Sequence, residues 1–410
     1  MSDDHVCRLC GTALLDPVLS LGRTPLANSL LTDADLEHEE PAFPLDLAFC
    51  AHCSLVQITE TIPPQDLFTE YLYFSSYSDT MLVHAATLAR RLVGERKLGP
   101  ESLVIEIASN DGYLLGNYAR AGIPVLGIEP ARNVARAAIE RGVPTMCEFF
   151  SEVLGRQLGA DGRRADVVHA NNVLAHVPDL NGFMEGLASI LKADGVAVIE
   201  VPYVKDMLDR IEFDTIYHEH LCYFSATALD VLTERHGLRL KHVERLAIHG
   251  GSLRLFVTRD EAAGAATPAV QTLLAEEHGW GVRSLAPYRR FAAAVRTVTR
   301  DLVDLLTRLR HEGKRVAAYG AAAKGSTLLN FAGIGGDLIQ FVVDRSPHKQ
   351  GRYMPGVHLP ISPPGRLLED RPDYVLLLTW NFADEILAQQ REYRQLGGRF
   401  IVPLPELTIV

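Results

Sequence analysis

Between Asp214 and Ser225 the chain reads DTIYHEHLCYFS, and four consecutive residues in it carry side chains that move or share protons: Tyr217, His218, Glu219 and His220. Imidazole is the group whose unperturbed pKa lies nearest neutrality, and a neighbouring carboxylate orients it and raises its basicity. A phenol can donate to an oxyanion. As an extended segment, the run puts His218 and His220 on one face and Tyr217 and Glu219 on the other. As a turn, it brings all four together. Three readings compete: acid–base catalysis, a metal site made of the two histidines and Glu219, and a buried cluster whose members satisfy one another. Further ligands for a metal are not evident here, and acid–base catalysis is favoured.

Four of the six cysteines stand in two pairs, Cys7-x2-Cys10 and Cys50-x2-Cys53. Each pair can place two thiolates on one ion from a tight turn, and two such knuckles complete a tetrahedral S4 site for zinc. A closed S4 site has no open position, so the ion is structural; in finger peptides its binding supplies roughly 10–16 kcal/mol of folding energy. The gap of 39 residues between the pairs exceeds the usual ribbon spacing, so SLGRTPLANSLLTDADLEHEEPAF is expected to be an irregular loop. A redox CxxC and unconnected cysteines are the alternatives. Cys147 and Cys222 remain, expected as packed thiols.

These groups need a scaffold, and it is most legible from Leu103 to Glu129, LVIEIASNDGYLLGNYARAGIPVLGIE. LVIEIA is short, apolar and β-branched, a buried parallel strand. SNDG is a loop of residues that tolerate sharp turns. YLLGNYARAG is a helix ended by Gly122, and PVLGIE is a second strand, tipped by Glu129. A strand, a small-residue loop, a helix and a strand ending on an acid make half of a nucleotide-binding unit, in which the acid can grip two ribose hydroxyls. The loop is not the GxGxxG dinucleotide fingerprint. S-adenosylmethionine (SAM), a dinucleotide and a crossover without ligand stay open on this stretch alone.

Further along, ADVVHA is a third strand followed by NNVLAHV, whose Asn171, Asn172 and His176 would face a ligand crevice at the strand ends. MEGLASILKADGVAVIEVPY is a helix, a Gly-closed turn and a fourth strand. KHVERLAIHGGSLRLFVTRD is a hairpin with its turn at His249–Ser252, and His249 is a candidate substrate contact. Upstream, TEYLYFSSYSDT precedes the long helix MLVHAATLARRLVGERKL; its tyrosines, Tyr71 among them, either reach over a neighbouring pocket or pack as a linker. After the helix PYRRFAAAVRTVTRDLVDLLTRLRHEG a second nucleotide-type unit begins. RVAAYGAAAKGSTLLNFAGI is a strand, a small-residue loop with Lys324, Gly325 and Ser326, and a helix; QFVVDRS is a strand ending on Asp344. Helix amides and the lysine charge suit a phosphate. Asn381 lies just past the strand DYVLLLTW, and RFIVPLP is a final strand. A structural half used for dimerisation competes with the phosphate reading.

The 410 residues should hold two or three domains, and 47% hydrophobic with 22% charged residues is an ordinary globular balance. A net charge of −11 argues against a nucleic-acid groove. No signal peptide and no bilayer-length apolar run are seen, which points to the cytoplasm and to cysteines used as ligands or thiols.

Taken together, CxxC…CxxC, ExASNDG, HVPDL, YHEHLCYFS, GAAAKGS and VVDRSPHKQGRYMPG resemble the C-methyltransferases of deoxysugar biosynthesis, which act on dTDP-linked 4-keto sugars, chiefly at C-3. The ExASNDG loop is similar to the ExGxxxG of class I SAM methyltransferases, with Ala108 where Gly is usual. The resemblance covers essentially the whole chain. It implies an α/β protein: a small zinc module (1–68), a Rossmann-like class I methyltransferase domain (69–260) and a second Rossmann-like α/β domain (261–410) that helps hold the nucleotide sugar. It implies SAM and structural zinc as cofactors, no nucleic-acid or membrane partner, and a monomer or weak homodimer. By motif position it makes His220 the base, with Tyr217 and Glu219 beside it and with Tyr71 and His176 as further active-site positions. Glu106, Ala108, Asn110, Gly112, Glu129, Phe149, Asn171 and Asn172 would line the SAM site. Lys324, Gly325, Ser326, Asp344 and His249 would meet the nucleotide sugar, and Cys7, Cys10, Cys50 and Cys53 would hold the zinc.

Overall fold

A computed structural model describes residues 5–69, 74–262 and 264–410. Three sheets organise them. The middle sheet has seven strands in the order Leu238–Leu246, Ser252–Arg259, Leu191–Pro202, Ala165–Asn171, Val104–Ile107, Val125–Ile128 and Thr145–Met146. The last five are parallel and the first two join antiparallel. Val104–Ile107 is buried at every position because helices cover both faces, which is why it reads as an unbroken apolar run. The chain leaves it first toward Val125–Ile128 and later returns to its other side at Ala165–Asn171. The topological switch point, where doubly wound sheets bind ligands, therefore lies beyond Ile107 and Asn171.

The second parallel sheet runs Ile361–Ser362, Val342–Val343, Val316–Tyr319, Tyr374–Leu377, Arg399–Val402 and Thr408–Ile409. RFIVPLP is not the last strand, contrary to the sequence reading. The chain turns back after it, and Thr408–Ile409 pairs antiparallel at the edge. The N-terminal sheet is antiparallel throughout: Asp16–Pro25, Ala42–Phe49, Val56–Ile58 and Cys222–Tyr223. SLGRTP is thus the end of a strand rather than the start of a loop, and the irregular stretch is shorter than its composition suggests. The KADG turn is also absent. Leu191–Pro202 starts directly after the helix Leu180–Ile190, with a register shift between the pairs Ala165–Leu191 and Val167–Val196 absorbing three extra residues.

Two helices on one face of the middle sheet, Glu152–Ala160 and Leu180–Ile190, cross at a pair of glycines; a Cβ on Gly155 would stand 2.4 Å from the Gly186 Cα. Gly155→Ala should cost roughly 1–3 kcal/mol through this backbone contact. Gly94, exposed in the helix Asp79–Arg96, has no atom within 4 Å of such a Cβ. Gly94→Ala should therefore raise stability by about 0.5–1 kcal/mol. Denaturant unfolding of the two variants beside wild type should shift in opposite directions.

Candidate active site

The two cysteine knuckles have the same build. The Gly11 amide donates to the Cys7 carbonyl and the Ser54 amide to the Cys50 carbonyl, each at 2.8 Å, and Gly11 and Ser54 both take positive φ. Their ligand atoms all lie within 4.8 Å of one another, with Cys7 and Cys53 Sγ 3.4 Å apart and Cys10 and Cys50 Sγ 3.6 Å apart. A tetrahedral ion with Zn–S near 2.3 Å needs sulfur separations of about 3.8 Å. The donor set fits zinc. The two leftover cysteines part company: Cys222 is packed as expected, but Cys147 is exposed, near the Pro130 carbonyl.

At the middle switch point, the loop after Val104–Ile107 makes its turn with positive φ at Ala108, Asn110 and Gly112. Glu129 knits this loop to the next strand: Oε2 accepts from the Asn110 amide and Oε1 from the Ala131 amide, both at 2.9 Å. Asn110 Oδ1 accepts from the Ser75 amide at 2.8 Å, which ties the connecting segment to the loop. Below them, burial and the nearby Glu129 and Asp111 carboxylates push the Glu106 carboxyl well above the usual range. Glu106 Oε2 and Asn171 Oδ1 are buried without a hydrogen-bond partner. Asn172 has positive φ at the tip of its strand, and Phe149 is exposed beyond Thr145–Met146. Unsatisfied polar atoms at a strand-end crevice beside a small-residue loop are the fit a polar nucleoside ligand requires.

The YHEH run is a turn, yet it does not gather its four side chains. His218 turns into the N-terminal module, where Nε2 donates to the Pro44 carbonyl at 3.0 Å. Glu219 is buried and accepts from Asn28 Nδ2 at 2.6 Å; desolvation pushes its carboxyl up to about 7. Tyr217 and His220 stay together. His220 Nδ1 faces the Thr215 carbonyl at 2.9 Å, so it carries the proton, and Nε2 meets the Tyr217 hydroxyl at 2.9 Å. The His176 ring stands edge-on to His220 at 4.9 Å, and burial lowers its pKa to about 4, so it is neutral. Among the described residues no second metal-binding cluster exists, so the two-histidine metal reading falls. Tyr71 and the side chain of His249 lie outside the described residues.

In the C-terminal unit, Asp344 shapes the loop by accepting from the Ala321 and Ser346 amides, each at 2.8 Å. Gly325 packs on Leu378, where a Cβ would come within 2.9 Å. Ser326 Oγ donates to the Ala27 carbonyl at 2.9 Å. Lys324 Nζ is buried 5.0 Å over the Trp380 ring.

Family models match the chain in three stretches: "Putative zinc binding domain" over residues 7–68, "Methyltransferase domain" over 83–243 and "C-methyltransferase C-terminal domain" over 247–405. C-methyltransferase NovU of Streptomyces niveus is 39% identical over 404 residues, which span 98% of this chain and 96% of that protein. The chain belongs to the C-methyltransferases. Its cofactors are SAM, at the methyltransferase domain, and zinc, at the four cysteines. A ubiquinone biosynthesis O-methyltransferase of Rhodopseudomonas palustris (strain TIE-1) is 30% identical over 98 residues, 23% of this chain and 38% of its own. A solved protein of Pyrococcus horikoshii OT3 matches 49% of this chain and 100% of its own, at 14% identity and a TM-score of 0.37. A magnesium protoporphyrin IX methyltransferase from Synechocystis PCC 6803 matches 43% and 79%, at 15% identity and a TM-score of 0.34. Likenesses this distant carry no argument about the site of this C-methyltransferase.

The site also draws on residues the sequence did not single out. Asn28 comes from the irregular stretch of the zinc module, Thr215 acts through its backbone carbonyl, and Asp111 is buried against Arg141 at 2.6 Å to brace the SNDG loop. Asn28 stands in no motif, whereas Asp111 lies within the ExASNDG loop and Thr215 within DTIYHEHLCYFS.

Two outcomes are expected of this C-methyltransferase. Cys53→Ser should empty the S4 site. Metal content should fall from one ion per chain toward none, and cobalt(II) should no longer give a thiolate charge-transfer band. Glu219, raised from 4.5 to about 7 in the folded chain, keeps a proton that the unfolded chain releases. Its contribution to stability is complete below about 4.5 and is lost as pH rises to about 7. Glu219→Gln should therefore gain thermal stability relative to wild type between pH 5 and pH 8, with the gain absent at the acid end.

Proposed function

We propose that this C-methyltransferase methylates a dTDP-linked 4-keto deoxysugar, at C-3, through an enolate made by His220. The observation that carries the reading is the fixed tautomer of His220. With Nδ1–H committed to the Thr215 carbonyl, the Nε2 lone pair faces Tyr217. Carbon is a poor nucleophile until it is made an enolate, and a ketone next to C-3 makes that proton acidic enough for a positioned base. The Tyr217 hydroxyl, donated to Nε2 in the free protein, turns to the ketone oxygen and frees the lone pair for the C-3 proton. Placement of this kind is worth about 10²–10⁴-fold. Electron density moves to the ketone oxygen, where the phenol stabilises it. His176, neutral beside the ring, adds no charge against the imidazolium that forms. Glu219, Tyr71 and His249 complete the substrate's surroundings.

When bound, SAM would supply an electrophilic methyl group for C-3, its sulfonium sulfur keeping the electron pair of the broken S–C bond as a neutral thioether. Glu106, Ala108, Asn110, Gly112, Glu129, Phe149, Asn171 and Asn172 line its place. The nucleotide end lies toward the C-terminal unit, with Asp344, Gly325 and Ser326 shaping a loop whose backbone amides face the diphosphate. Holding both substrates at fixed separation makes the encounter of carbon and methyl effectively unimolecular. The setting is deoxysugar formation for antibiotics, in the cytoplasm.

Incubation with a dTDP-4-keto sugar in D2O should exchange the hydrogen at C-3, and His220→Ala should lose both exchange and methyl transfer by at least about 10²-fold while still binding SAM. Methyl transfer to oxygen or nitrogen with no exchange at carbon would sink the enolate route.

A further inference from the structure

The C-terminal parallel sheet has its own switch point, between Val316–Tyr319 and Tyr374–Leu377. From the first strand the chain steps outward to Val342–Val343 and Ile361–Ser362, then returns on the other side. A ligand is expected in the crevice beyond such a point. Here another segment of the chain reaches that end of the sheet. Trp380, just past the second strand, donates from Nε1 to Asp214 Oδ2 at 2.6 Å, and Thr327 Oγ1 donates to the Ile216 carbonyl at 3.1 Å. The inserted segment is the one that leads into the YHEH turn.

Lys324 stands in the same place. Its ammonium nitrogen is buried with no hydrogen-bond partner; burial pushes the nearby Asp214 and Glu212 carboxyls up, and the Lys324 charge works against that rise at both. Asp214 is 0% exposed and its Oδ1 is likewise unpartnered. A carboxylate this deep costs several kcal/mol unless a nearby positive charge offsets it. The Trp380 indole satisfies one oxygen and offers its face to the ammonium 5.0 Å away, so the three groups compensate one another. Asp214 is the centre of the one-turn helix Phe213–Thr215, and the Thr215 carbonyl holds His220 Nδ1.

We propose that Lys324 is a positioning residue: its charge compensates Asp214 at the end of the C-terminal sheet and so fixes the Phe213–Thr215 turn that aims His220. The sequence pattern had put this lysine on a phosphate. Its link to turnover rests on His220 being the base; its link to the geometry of His220 does not.

The test compares Lys324→Met, Asp214→Asn and the double variant with wild type in the full-length, zinc-loaded enzyme. Binding of dTDP is read by calorimetry, kcat and KM with a dTDP-4-keto sugar, and the His220 ring resonances by NMR, assigned with His220→Gln. Lys324→Met should leave the dTDP Kd within about twofold, lower kcat by tenfold or more with KM little changed, and move the His220 resonances. Adding Asp214→Asn, which removes the charge left uncompensated, should recover part of kcat and return the resonances toward wild type. A tenfold weaker dTDP Kd with kcat retained would make Lys324 a phosphate ligand and overturn the proposal. So would unmoved resonances, or a double variant worse than both single ones. If no nucleotide sugar is turned over by wild type, the functional reading fails, and the NMR cycle still decides the coupling. Should Lys324→Met not fold, Trp380→Phe, which removes the donor to Asp214 and keeps an aromatic face for Lys324, must shift the same His220 resonances.

Discussion

The carbonyl of Thr215 bears on everything else in the site. A histidine free to exchange tautomers is a base only part of the time, and one free to rotate rarely points at the same atom twice. One hydrogen bond to a main-chain oxygen removes both freedoms at His220, but only if that oxygen is itself immobile. The surrounding segment is accordingly tied to each of the three sheets. Cys222–Tyr223 is the fourth strand of the N-terminal sheet, the Leu221 amide donates to the Ala175 carbonyl of the middle domain, and Ile216 and Asp214 are held from the C-terminal unit. A turn supported from one side could hinge; one supported from three cannot move without breaking contacts in all of them.

The donor side shows the same preference for fixed polar geometry under a small-residue loop. Arg254, nearly buried, is held between Glu200 (2.7 Å) and Glu244 (3.0 Å), and His84 from the helix Asp79–Arg96 reaches Glu200 at 3.0 Å. Glu200 stays below its usual range despite burial because His84 and Arg254 favour its charge. A network of this kind adds little net stability over an apolar core, but removing one member strands the others. Its consequence is register. It locks the helix to the middle of the sheet, and the segment preceding that helix, through Ser75, is then bound to Asn110 of the SNDG loop.

How much of this was readable in the sequence divides by the range of the interactions. Val104–Ile107, the SNDG loop and Glu129 were legible because a buried parallel strand, a turn and a strand-end acid each leave a local signature. So did the two knuckles, since each CxxC closes its own turn. The partition of Tyr217, His218, Glu219 and His220 was not legible. Period-2 alternation and a gathering turn were the two local options, and the outcome was set by Pro44 and Asn28, well over a hundred residues away. The edge strand Thr408–Ile409 was missed because two residues carry no periodicity. The surroundings of Lys324 were not legible for a related reason: GAAAKGS looks like a phosphate loop by itself, and the Trp380 ring and the Asp214 carboxyl near its ammonium come from distant parts of the chain.

The same reasoning gives the zinc module a place in the chemistry without giving the ion a chemical step. A module of this size buries too little apolar surface to be stable by itself, so such modules depend on disulfides or metals. Its strand Val56–Ile58 nevertheless serves as the template on which Cys222–Tyr223 pairs, through Val56 and Gln57. Gln57 is buried and accepts from the Arg8 amide at 2.9 Å, next to Cys7 in the first knuckle. Ion, knuckle, template strand and YHEH turn therefore form one mechanical series. Loss of the metal would loosen the far end of that series, and an S4 site with all four positions taken by cysteines is what such a purely mechanical duty requires.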